Sequence, residues 1–175
     1  LGIDYNTTDN KHFANEWQAY FQSPFKETIK LESDLLFTRS IDHWWTAFRI
    51  KDVCLSYGAK SYLGKHSAVR KYRKLFDDND LPDTYNGLMY FRYSQAAYDF
   101  FETAKNILGH WDYVKETLSK CYEEIPSTDV LYAITAMCEV QETVTMPSMD
   151  FINFVHMKPG FNGWSDARSW IDTVV

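Results

Sequence analysis

Apolar positions change their period several times along the chain, and each change predicts an element. Between Asn10 and Pro24, Phe13, Trp17, Tyr20 and Phe21 recur at i, i+4, i+7 and i+8, one stripe of a short amphipathic helix that Pro24 ends. The pattern then alternates. From Glu27 to Leu31, Ile29 and Leu31 share one face, so a strand is predicted that runs into Glu32 and Asp34. Ser40 to Trp45 reads as a polar turn entering a short aromatic helix, with Trp44 and Trp45 assigned to the core. Asp52 to Tyr57 reads as a strand closed by Gly58. Residues 59–84 carry glycine and proline breaks and a charge inversion, and read as a long surface excursion.

Asn86-Gly87 is a turn dipeptide, expected to open a half-buried strand from Leu88 to Tyr93. Ser94 then caps the clearest helix, with Ala97, Phe100, Phe101, Ala104 and Leu108 on one face and Gly109 as its terminal glycine. Further helices are predicted over Asp112–Cys121 and from Pro126-Ser127, the latter with Leu131, Ile134 and Cys138 inward. Phe151 to Val155 reads as the last strand, ending at His156. Pro159 and Gly160 break it, and Ser165 caps a final helix striped by Ala167, Trp170, Ile171 and Val174. Strands interleaved with helices predict an α/β fold, with a mixed or parallel sheet flanked by helices in a single domain over 1–175. Ligands of such sheets gather at the carboxyl ends of strands. Glu32, Asp34 and His156 fall at such ends.

Composition narrows the picture only in places. An apolar fraction of 45% over 175 residues is ordinary for a globular protein, whereas 17% aromatic is high and suits either a core or platforms for sugars, bases and partners. A net charge of −6 argues against general affinity for nucleic acid. One run departs from this: Lys65, His66, Arg70, Lys71, Arg73 and Lys74, followed by Asp77, Asp78, Asp80 and Asp83. It reads either as a solvated helix pairing with those aspartates or as a face for an anionic acceptor such as nucleic acid, a phosphorylated glycan or lipid headgroups. No stretch approaches the ~20 apolar residues of a membrane span. Cys54, Cys121 and Cys138 are odd in number and lie in apolar patterns, so reduced core thiols and a cytoplasmic location are expected.

The candidate chemistry centres on Glu32 and Asp34. Carboxylates at i and i+2 where a strand ends can converge on one hard divalent cation, or can form an acidic turn after an edge strand. A G-x-S-x-G elbow, a phosphate loop, a dinucleotide fingerprint and zinc-type Cys or His spacing are all missing from the sequence.

Four segments, in order, resemble the nucleotide-sugar glycosyltransferases of the GT-A fold, most nearly glycosyltransferase family 8. Leu31-Glu32-Ser33-Asp34-Leu35-Leu36-Phe37 stands where that family carries its DxD motif, and Tyr85-Asn86-Gly87-Leu88-Met89 where it has an Asn-containing strand. Ser127-Thr128-Asp129-Val130-Leu131 is similar to an Asp-bearing helix start, and Val155-His156-Met157-Lys158-Pro159 to a strand running into His and then Lys-Pro. The resemblance covers roughly residues 10 to 165.

It implies a metal-dependent, retaining transferase that takes a sugar from a nucleoside diphosphate, with UDP-sugar as donor and Mn²⁺ or Mg²⁺ as cofactor. Asp34 and His156 would ligate the metal. Glu32 would join them, directly or through water, or would bond the donor's ribose. Lys158 would meet the diphosphate. Asn86 and Asp129 would line the sugar and acceptor side as catalytic residues. The acceptor stays open between glycan, protein and, through Lys65–Lys74, nucleic acid. The sequence departs from the family at four points. Glu32 replaces the first Asp, and Asp129 sits where the family's pattern is more densely polar. The His156 segment lacks the family's glycine-containing spacing and its terminal Trp unless Trp164 substitutes, and the family's nucleotide-binding strands have no counterpart before Asn10. Leu1 to Asn6 read as the interior of a longer chain, so a fragment or a reduced fold is expected. Two other functions remain open. One is a non-catalytic interaction domain on a degraded version of the fold; the other is a different metal-dependent phosphotransfer or hydrolytic enzyme.

Overall fold

The computed structural model describes residues 14–32, 35–37, 40–57, 73–139 and 154–156, with residues 35–36 and 154–156 described by their backbone alone. A 3₁₀ turn, Ala14–Trp17, leads into α1 (Gln18–Gln22), β1 (Glu27–Leu31), β2 (Leu35–Phe37), α2 (Asp42–Phe48) and β3 (Val53–Tyr57). Then come α3 (Lys74–Asn79), β4 (Thr84–Arg92), α4 (Gln95–Gly109), α5 (Trp111–Thr117), α6 (Thr128–Cys138) and β5 (Phe154–His156). The predicted final helix lies outside the described residues, as do the beginnings of the first helix and of the last strand.

Helices and strands interleave as expected, but every pairing among the described strands is antiparallel. One sheet has the order β1-β4-β3, and β2 pairs with β5 in a second. β4 is central because both faces of it are apolar. Met89 and Phe91 join Val53, Leu55, α4 and α6 in one core, while Leu88 and Tyr90 join Cys54, Trp44 and Phe48 in another. The half-buried strand expected over Leu88–Tyr93 is therefore buried on both faces, starts at Thr84 and ends at Arg92. Asn86-Gly87 lies inside it rather than in a turn. Gly87 is required there by a close approach: a Cβ at that position would overlap the Tyr85 ring.

The helices follow their stripes. Ser94 Oγ accepts the Ala97 N–H at 3.2 Å, and Ala97, Phe100, Phe101, Ala104 and Ile107 bury the inner face of α4. Gly109 is still helical, and His110 ends α4 and begins α5 at once, so no glycine cap forms. Ser127 Oγ accepts the Val130 N–H at 3.3 Å to start α6, which buries Leu131 and Ile134. Trp44 is fully buried and Trp45 partly so. The core-thiol expectation is corrected for two cysteines: Cys54 is buried, but Cys121 is half-buried and Cys138, the last residue of α6, is exposed. Apolar burial on α6 ends at Ala136, two residues before it. Among the described residues no helix is long and apolar enough to cross a membrane.

Candidate functional site

Three predicted site residues meet at one end of the β1-β4-β3 sheet, where β1 leaves it, β4 enters it and α6 begins. Register pairs Leu31 with Leu88, and the Glu32 N–H donates to the Gly87 carbonyl at 3.1 Å. Glu32 is thus held beside Asn86 and Gly87. Its Oε2 accepts from the Tyr85 hydroxyl at 3.4 Å. Asn86 is reached from the other side by Asp129, whose Oδ1 accepts the Asn86 main-chain N–H at 2.7 Å.

Asp129 sits in the first turn of α6, where a carboxylate complements the helix dipole. Its second oxygen faces Arg73, with Nη2 to Oδ2 at 3.0 Å, and its carbonyl accepts from Thr84 Oγ1 at 2.8 Å. Arg73 is 2% exposed. It also donates to the Thr84 carbonyl at 2.6 Å, lies 3.5 Å from Asp83 and stacks 4.5 Å above the Phe76 ring. The planar guanidinium makes this possible, since it can satisfy several acceptors from one fixed fork. Both Asp129 oxygens are therefore committed to shaping the entry to β4.

This resolves the part of the basic run that is described. Arg73 is a buried fastening, and Lys74 pairs with Asp78 at 2.9 Å, one helical turn on. Both pair with aspartates, as the solvated-helix alternative expected, although Arg73 does so inside the protein. Residues 65–72 lie outside the described residues.

Asn86 is held a second time. Its Nδ2 donates to the Glu16 carboxylate, which also takes the Lys30 ammonium, and Lys30 Nζ reaches the Asn86 carbonyl at 3.3 Å. Glu16 and Asn86 are each 6% exposed. Sequence reading missed Glu16, Lys30 and Tyr85. Lys30 carried a usable signal: in β1 it alternates with Ile29 and Leu31, so it points across the sheet from them, into the core beneath α4, and a lysine there needs a partner.

The remaining predicted residues are placed by backbone or not at all. β2 pairs antiparallel with β5 so that Leu35 stands opposite His156. The residue directly after Asp34 and the predicted histidine ligand are therefore cross-strand neighbours, although more than a hundred positions separate them in the chain. Asp34 and Lys158 lie outside the described residues, and of His156 only the backbone is described. Among the described residues no group of three or more His, Cys, Asp or Glu could hold a metal ion. The full ligand set proposed from sequence includes two side chains beyond those residues. Its chemistry, two carboxylates and an imidazole, fits Mn²⁺.

A cavity of about 340 Å³ lies elsewhere, lined by Lys51, Asp52, Val53, Ala96, Phe100 and Glu139, at the end of the sheet opposite Asn86. None of the predicted site residues lines it. Comparison with protein-family models, with curated proteins and with solved structures finds no match.

Proposed function

We propose that the chain carries the metal and diphosphate side of a nucleotide-sugar glycosyltransferase. The observation that supports it best is the pairing of Leu35 with His156, because Leu35 directly follows Glu32-Ser33-Asp34 in the chain and His156 is the predicted histidine ligand. The contacts of Glu32 with Gly87 and of Asn86 with Asp129 bring the other two motif segments to Glu32, at one end of the β1-β4-β3 sheet.

In this reading Glu32, Asp34 and His156 would hold a divalent ion, and Lys158 would meet the donor's diphosphate as a point charge. The ion's contribution when bound is to offset the negative charge that develops on the departing diphosphate. The chain's own residues orient the donor. Asn86, fixed by Glu16 and Asp129, offers an amide on the sugar side, and Asp129 acts by positioning Asn86 rather than by touching substrate. Thermal unfolding with Mn²⁺ and UDP tests the proposal. A real site raises stability by about 2.7 kcal/mol at 100-fold excess over Kd. No shift, with Asp34→Ala behaving as wild type, would sink it.

One observation favours a second reading, a binding domain without turnover: Asp129, expected to be catalytic, has both oxygens engaged internally. Release of free sugar or transfer to an acceptor from UDP-hexose separates the two, because a binding domain responds to UDP yet consumes no donor.

A further inference from the structure

Lys30 breaks the rule that a strand turns only apolar side chains toward a covered core, and the structure shows what answers it. Its ammonium meets Glu16, whose carboxylate also takes the Asn86 side-chain amide. A buried ion pair is poor value as a source of stability, since desolvating both charges offsets much of their attraction. Its consequence here is geometric. A carboxylate can only accept, so Glu16 dictates that Nδ2 of Asn86 faces it and that Oδ1 faces away. Oδ1 is buried and meets no hydrogen-bond donor among the described residues. Such an acceptor is costly unless something brings it a donor.

The geometry points to Glu16, with Lys30 behind it, as a positioning residue that locks the Asn86 amide in the orientation presenting Oδ1 to a hydroxyl-bearing ligand. Resting on the transferase reading, it assigns that hydroxyl to the donor's sugar and not to its nucleotide. Glu16 does not touch the ligand; it fixes which atom of Asn86 does.

The test compares Mn²⁺-dependent binding of UDP with that of UDP-glucose and UDP-galactose, using whichever hexose binds better, by calorimetry. Glu16→Ala removes the acceptor. Glu16→Leu with Lys30→Met replaces the whole pair by apolar groups, so that neither charge is left buried alone. Both variants are expected to bind UDP as wild type does, while the UDP-hexose to UDP affinity ratio falls about tenfold, the worth of one hydrogen bond. Glu16→Gln keeps an acceptor for Nδ2 and is expected to restore the ratio. Unfolding temperature without ligand reports any purely structural cost separately. Either folded variant retaining the wild-type ratio overturns the assignment. Wild-type protein binding neither UDP nor UDP-hexose overturns it as well, but does so by refuting the transferase reading itself, without reference to any variant.

Discussion

The main-chain N–H of Asn86 donates to Oδ1 of Asp129 at 2.7 Å, which ties the central strand to the start of a helix 43 residues further along. Asp129 can hold that position because Arg73, buried between Thr84 and Phe76, holds its other oxygen. Removing Arg73 leaves a largely buried carboxylate without its counter-charge. Arg73→Met is expected to lower stability by about 3 kcal/mol, read as a drop in urea midpoint. Arg73→Lys should recover little of it, since a point charge cannot serve Thr84 and Asp129 together.

Two glycines are expected to respond in opposite directions. Gly87→Ala pushes a methyl group into the Tyr85 ring and disturbs the hydroxyl that bonds Glu32, so it should cost about 1–3 kcal/mol, the usual range for overpacking. Gly109→Ala meets open space in a helical backbone and should stabilise by about 0.4–1 kcal/mol. Denaturant curves of the two variants side by side measure both.

Those glycines also show what the sequence made legible. Periodicity located α4 and α6 and their caps, because Ser94 and Ser127 satisfy local N–H groups within three residues. It located β1, β3 and β4 for a similar reason. It could not say that β4 is central, since that depends on α2 covering the second face, a long-range fact that turned Asn86-Gly87 from a turn into strand interior. Around the site, Glu32, Asn86 and Asp129 were legible as residue types, and the structure brings them together at one end of the β1-β4-β3 sheet. Their roles were not legible. Nothing local to Asp129 announces that Arg73 occupies it, and nothing local to Asn86 announces Glu16, 70 residues earlier.

Acid should act at the far end of β1. Arg49 grips Glu27 through two hydrogen bonds of 2.8 Å, and the Tyr90 hydroxyl adds a third at 2.9 Å. The Arg49 guanidinium and then Tyr90 hold the Glu27 carboxyl down at about 2. A carboxylate with a lowered folded-state pKa stabilises the protein fully above its unfolded value near 4.5, and that stability is lost as pH falls toward about 2. Between those limits, thermal stability of wild type should fall more steeply than that of Tyr90→Phe combined with Arg49→Met. Because Arg49 is largely exposed, added salt should narrow the gap.

Thiol chemistry should separate the cysteines. Burial pushes the Cys54 thiol up to about 12, so it stays protonated and inaccessible in the folded protein. Cys138 is exposed. With an aromatic disulfide reagent at pH 8, Cys138 is expected to react in the native state and Cys54 only at the rate of unfolding, checked by peptide mass after quenching.

The central claim is that Glu32, Asp34 and His156 form one metal site that a nucleoside diphosphate completes. Calorimetric titration of Mn²⁺ in the presence and absence of UDP tests it most directly, with wild type beside Asp34→Ala and His156→Ala. The account predicts one ion bound per chain, at least tenfold more tightly when UDP is present, and loss of that UDP-dependent binding in both variants. Binding of Mn²⁺ unaffected by UDP, or unchanged in the two variants, would contradict it.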